Sequence, residues 1–161
     1  MNLHLIDLHA CTPQPWRNGG GLTRELLAWP QAADWRLRVS VARIAHSRPF
    51  SAFPGVWRGF TVLHGEGVML ELPSGRVTLT PADDPVAFDG EAAPHCHLID
   101  GPTEDLNLMA RRDAGRAALR RARPGDAVEG ATRWRGVFAG GLVRLDIDDH
   151  TQTLHAGTLA W

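Results

Sequence analysis

Short alternating runs, each closed by glycine or proline within a few residues, recur along the chain and restrict it to β-structure. Trp35–Ala45 carries the pattern most clearly. Trp35, Leu37, Val39 and Val41 share one face, and Arg36, Arg38, Ser40 and Ala42 share the other. Further extended runs are read at Met1–Leu8, Thr23–Trp29, Trp57–Leu63, Val68–Leu72, Arg76–Leu79 and Val86–Phe88. Others follow at Cys96–Ile99, Leu106–Met109, Val137–Ala139, Leu142–Ile147 and Thr153–Leu154. His64-Gly65-Glu66-Gly67, Pro73-Ser74-Gly75, Asp89-Gly90 and Gly140-Gly141 supply turns, with glycine available for positive φ. Such spacing predicts an all-β sandwich or barrel. Arg111–Arg123 is the ambiguous stretch. Its Ala, Leu and Arg favour helix, Gly115 and the β surroundings oppose it, and it is read as strand or irregular. Pro124–Glu129 reads as a loop.

A length of 161 residues allows one domain, or two small halves sharing a core. The hydrophobic share of 43% is that of a globular protein rather than a disordered one. A formal net charge of −1 offers no basic surface for nucleic acid. No apolar run reaches the length that spans a membrane, and the first residues lack the basic start of a secretory leader. The expectation is a cytoplasmic protein with neither nucleic-acid nor membrane partners. Cys11 and Cys96 lie far apart and make no disulfide framework. Every basic side chain apart from histidine is arginine, since the chain has no lysine. Arginine suits bidentate recognition of carboxylates, so an acidic small ligand fits this composition.

Gly19-Gly20-Gly21 needs a reason, because ordering glycine costs more entropy than ordering any other residue. The triplet marks either a tight turn or a close approach by a ligand or strand. Trp16, Arg17 and Asn18 place an aromatic face, a cation and an amide beside it. No Gly-Lys-Ser/Thr follows, so it is not a phosphate loop. His95-Cys96-His97 sets two imidazoles on one face of a strand, where they can chelate. Metal-binding cupins add a glutamate four or five residues on. Here Gly101 and Pro102 hold those positions, so no metal and no cofactor are expected. Without a Gly-x-Ser-x-Gly elbow, no catalytic residue is assigned, and Cys96 reads as a buried structural thiol. Polar residues on or between β-runs remain: Asn18, Thr23, Arg38, Ser40, Ser51, Arg58, Asn107 and Arg111. Composition leaves two readings open for them, ordinary surface groups or a polar pocket in a barrel mouth.

The motifs Trp16-x-Asn18-Gly19-Gly20-Gly21-x-Thr23-x-Glu25, Arg38-x-Ser40-x-Ala42, Pro49-Phe50-Ser51-x-Phe53-Pro54-Gly55-x-x-Arg58 and Leu63-x-Gly65-x-Gly67 closely resemble the HutD/Ves family. Cys96-x-Leu98-x-x-Gly101-Pro102-x-x-Asp105-Leu106-Asn107-Leu108-Met109-x-Arg111-Arg112 continues the resemblance. It covers about residues 12–112, in order.

The resemblance implies an all-β bicupin of the RmlC-like cupin class, two small β-barrel or sandwich halves at about 1–90 and 91–161. It implies no catalytic metal, and a small carboxylate ligand, with urocanate or formylglutamate as candidates and a regulatory role in histidine utilisation. Arg38, Arg58 and Arg111 would be the cationic contacts. Asn18, Thr23, Ser40, Ser51 and Asn107 would orient the ligand, and Trp16 and Phe50 would flank it. Two departures stand out. Leu37 replaces a family tryptophan, and Trp57 replaces an aspartate, which removes a carboxylate beside Arg58. Three alternatives remain: a metal-dependent cupin enzyme using His95 and His97, a stress-induced Ves-type protein of unsettled activity, and a protein-interaction module. A homodimer through a sheet edge is also open, because edge strands invite pairing.

Overall fold

The computed structural model describes residues 3–127 and 132–161. The start of the expected first strand and the end of the expected Pro124–Glu129 loop lie outside the described residues. The strands in chain order are β1 (Leu5–Asp7), β2 (Gln14–Pro15), β3 (Gly21–Trp29), β4 (Leu37–Ile44), β5 (Arg48–Pro49), β6 (Val56–His64), β7 (Val68–Leu72) and β8 (Gly75–Leu79). Then come β9 (Val86–Asp89), β10 (His95–Leu98), β11 (Thr103–Arg111), β12 (Val137–Ala139), β13 (Val143–Ile147), β14 (His150–Leu154) and β15 (Thr158–Ala160). The chain is all-β, as its turn spacing predicts.

Two compact units form, Pro13–Arg121 and Met1–Thr12 with Ala122–Trp161. The first is an antiparallel sandwich. Its six-stranded sheet runs β2-β3-β4-β11-β6-β9, and its four-stranded sheet runs β5-β10-β7-β8. Ile44, Phe60, Val62 and Phe88 from the larger sheet pack on Val68, Leu70, Leu79 and Cys96 from the smaller one. Alternation dictates this core, because every second residue of each strand turns inward. Phe60, Val68 and Leu70 are fully buried, and each such side chain contributes about 1.5–3 kcal/mol.

The other unit has a three-stranded sheet, β1-β15-β12, and the hairpin β13-β14. Ala139, Leu154 and Ala160 form its core, and His4 stacks on Trp161 with centroids 4.7 Å apart.

Strand pairing does not follow the expected seam near residue 90. β10 pairs with β5 and β7, and β11 lies between β4 and β6. Residues beyond 90 therefore complete both sheets of the sandwich. Arg111–Arg123 ends β11, makes one short 3-10 turn at Arg112–Ala114 and continues without regular structure. The two-residue strands β2 and β5 lie at sheet edges and end in prolines. An edge tolerates proline because its missing N–H faces away from the ladder.

Candidate functional site

Register brings five of the sequence candidates, Thr23, Arg38, Ser40, Arg58 and Asn107, onto the inner face of the six-stranded sheet. On β4, Ser40 lies opposite Asn107 and Arg38 opposite Met109. On β6, Phe60 lies opposite Asn107 and Arg58 opposite Met109. Arg38 and Arg58 thus flank β11 at the same level, about 10 Å apart by two strand spacings. Glu25 on β3 lies opposite Ser40, and Asp105 is two residues before Asn107 on β11. Four charged groups, Glu25, Arg38, Arg58 and Asp105, therefore sit on the face that also carries Ser40, Asn107, Phe60 and Val62.

Each charge is treated differently. Arg38 donates from Nε to Glu25 Oε2 at 2.7 Å, a half-buried ion pair. Arg58 is only 4% exposed. Its Nη2 donates to Asn107 Oδ1 at 2.8 Å, while Nε and Nη1 have no partner among the described residues. Three rings surround its guanidinium carbon, with centroids at 4.8 Å for Phe50, 5.7 Å for Phe53 and 5.1 Å for Phe88. The ring faces are electron-rich, so they offset part of the desolvation. Burial, with Arg38 nearby, lowers the Arg58 pKa to about 10, so the group stays cationic at neutral pH.

Backbone bonds fix the rings. Phe50 N–H donates to Pro94 O at 3.0 Å and Phe53 N–H to Gly90 O at 2.8 Å. Gly90 is required there, because a Cβ would stand 2.7 Å from the Phe53 carbonyl. Asp105 is fully buried, and its Oδ2 accepts from Thr103 Oγ1 at 2.7 Å while Oδ1 has no partner among the described residues. Burial, with Glu104 adding to it against the Thr103 hydrogen bond, pushes the Asp105 carboxyl up to about 7. Across the core, burial pushes the Cys96 thiol up to about 12, with Asp105 adding and Arg58 opposing. That leaves Cys96 inert as a nucleophile.

Trp16, Asn18, Ser51 and Arg111 are not in this group. Trp16 donates from Nε1 to Thr23 Oγ1 at 2.7 Å, and Trp16 packs against the sandwich core. Asn18 Oδ1 accepts from Gly20 N–H at 2.9 Å, which closes the glycine turn. Ser51 is exposed on the loop after β5. Arg111 is taken by two carboxylates, Asp34 at 3.0 Å and Asp113 at 2.9 Å. It lines a surface groove with Trp35, Pro54, Gly55 and Arg112. The groove adjoins the buried site through Phe53, whose ring meets Trp35 edge-on at 6.4 Å and Arg58 on its other contact. Residue 57 lies on the opposite face of β6 from Arg58. A carboxylate there would stand away from the guanidinium, contrary to the reading of Trp57 from sequence.

The glycine triplet also resolves. Gly19 has φ of 69°. A Cβ on Gly21 would run into the Arg43 carbonyl on β4, so the close approach at Gly21 is between strands. Sequence reasoning missed Glu25, Phe53, Phe88 and Asp105 as parts of the site. Asp105 carried a usable signal, since Asp105 and Asn107 alternate with Leu106 and Leu108. Phe88 carried none, because only the non-local β6–β9 pairing brings it to Arg58.

Fold and site define an antiparallel β-sandwich with paired arginines and amide and carboxyl groups on its inner face. The chain belongs to the HutD family, whose model matches residues 8–161. Protein Ves of Citrobacter koseri is 38% identical over 120 residues, covering 73% of this chain and 63% of that protein. An uncharacterized 21.2 kDa protein in the hutC 3′ region of Pseudomonas putida is 39% identical over 123 residues, with the same coverage of 73% and 63%. The chain thus spans 63% of the length of both relatives. The solved structure of HutD from Pseudomonas fluorescens SBW25 superposes with a TM-score of 0.72 at 24% identity, covering 99% of this chain and 86% of that one. No helix among the described residues is long and apolar enough to cross a membrane.

Proposed function

We propose that the sandwich of this HutD-family chain binds a small carboxylate at Arg58, as a binding protein with a regulatory role in histidine utilisation rather than an enzyme. One observation carries the reading. Arg58 is buried and cationic, yet two of its guanidinium nitrogens lack acceptors among the described residues. An unmet buried donor costs about 1–3 kcal/mol, and a carboxylate accepting from Nε and Nη1 removes that cost with charge-assisted bonds. Arg38 adds positive potential, Ser40 and Asn107 offer side-chain hydrogen bonds, and the Phe53 ring beside Arg58 touches Trp35, which lines the groove. The position of the Pseudomonas putida relative in the hutC 3′ region favours an acid of histidine breakdown, and urocanate and formylglutamate are the ligands to test. The bicupin description belongs to the same proposal, with Met1–Thr12 and Ala122–Trp161 as a reduced second half.

Calorimetric titration with each acid tests this reading. Arg58→Met is expected to weaken binding by about tenfold or more, since the lost charged hydrogen bonds contribute about 1.5–3 kcal/mol. The reading is overturned if wild-type protein gives no heat with either acid, or if Arg58→Met binds as tightly as wild type.

A further inference from the structure

The outer face of the four-stranded sheet carries a separate cluster. Glu71 on β7 lies directly opposite His95 on β10, and His97 follows two residues later. All three therefore project from one face. Cys96 between the two histidines enters the core, so the imidazoles turn away from Arg58. His95 Nδ1 and His97 Nε2 are 3.1 Å apart. His97 Nε2 is 3.4 Å from Glu71 Oε1. One donor atom from each residue lies within 4.8 Å of the other two.

The two shorter spacings match a coordination sphere, and the third donor pair lies within 4.8 Å. A zinc ion with ligands at about 2.0–2.1 Å in tetrahedral geometry holds neighbouring donors about 3.3–3.4 Å apart. Two imidazoles and a carboxylate suit zinc and neighbouring divalent transition ions, whereas magnesium and calcium favour oxygen alone. The carboxylate missing at positions 101 and 102 is supplied by the adjacent strand instead.

We propose that Glu71, His95 and His97 form a binding site for a divalent transition-metal ion of the zinc type, with its remaining coordination open to solvent. The site lies on the outer face of the sandwich and is independent of the carboxylate site. Arg76 tunes it. Arg76 lies opposite Glu71 on β8, and its Nη2 is 3.2 Å from the same Oε1. The guanidinium therefore competes with the ion for one carboxylate oxygen.

The test is Zn²⁺ titration of the full, tag-free, chelator-treated chain by calorimetry, with Co²⁺ visible absorption as the coordination readout. One equivalent is expected to bind. His95→Ala and His97→Ala should each weaken it by about tenfold or more and abolish the cobalt bands. Arg76→Ala should tighten binding, and His64→Ala should leave it unchanged. All four variants should keep the wild-type circular dichroism. No binding by the wild type, or unchanged affinity in both His95→Ala and His97→Ala, overturns the proposal.

Discussion

Arg58 gives one N–H of its guanidinium to Asn107 Oδ1 at 2.8 Å and holds two nitrogens, Nε and Nη1, inside the sandwich with no partner among the described residues. A binding site for an anion and a structural hydrogen bond make different demands on this pair. Burying a cation costs several kcal/mol, and removing the hydrogen-bond acceptor of a buried charged group typically costs about 1.5–3 kcal/mol or more. Removing the cation instead leaves a neutral amide oxygen unmet, at about 1–3 kcal/mol, while relieving the buried charge.

Arg58→Met should therefore change stability by no more than about 1 kcal/mol, whereas Asn107→Ala should destabilise by about 3 kcal/mol. Urea denaturation of both variants checks the ranking. The reverse order would make Arg58 a structural group rather than a ligand-binding one.

Asp105 gives the protein a pH-dependent stability. Its folded pKa, pushed up to about 7, lies above the unfolded value near 3.9. Between these values the folded state holds the proton and the unfolded state does not. Stability from this group is thus full below about pH 4 and is lost as pH rises through about 7. Asp105→Asn, which keeps an acceptor for Thr103, should flatten the slope and stabilise the protein above pH 7, with a ceiling of about 4 kcal/mol. Denaturation at about pH 5 and about pH 8 measures it. An unchanged pH difference in the variant would remove Asp105 as its source.

Two glycines of one triplet should respond unequally. Gly21→Ala drives a methyl into the Arg43 carbonyl and should destabilise by more than about 2 kcal/mol, as overpacking does. Gly19 has open space but φ of 69°, so Gly19→Ala should cost about 1–2 kcal/mol. Thermal unfolding of the pair decides. Equal losses would mean that backbone conformation alone demands the triplet.

Much of the fold was legible because alternation is a local property. Trp57–Leu63 and Val68–Leu72 announce strands, with glycines between them for the turn, and the structure places β6 and β7 there. β2, β5 and β15 were not legible. They are two or three residues long, and pairing rather than local preference makes them strands. The pairing of strands across the seam expected near residue 90 was not legible for a similar reason. Which strands become neighbours depends on long-range contacts, and β10 and β11 close sheets begun far earlier in the chain.

The site divides along the same line. By itself the sequence determined the residue types, the family motifs and the shared face of Arg38 and Ser40, because period-two alternation is written into consecutive residues. Only the tertiary structure decided which cation is satisfied. Glu25 reaches Arg38, Asp34 and Asp113 take Arg111, and Arg58 is left with one amide oxygen, three rings and two nitrogens without partners among the described residues. It likewise brought Glu71 to His95 and His97. The identity of a charge is local, but its partner and its burial depend on strands remote in sequence that register places side by side.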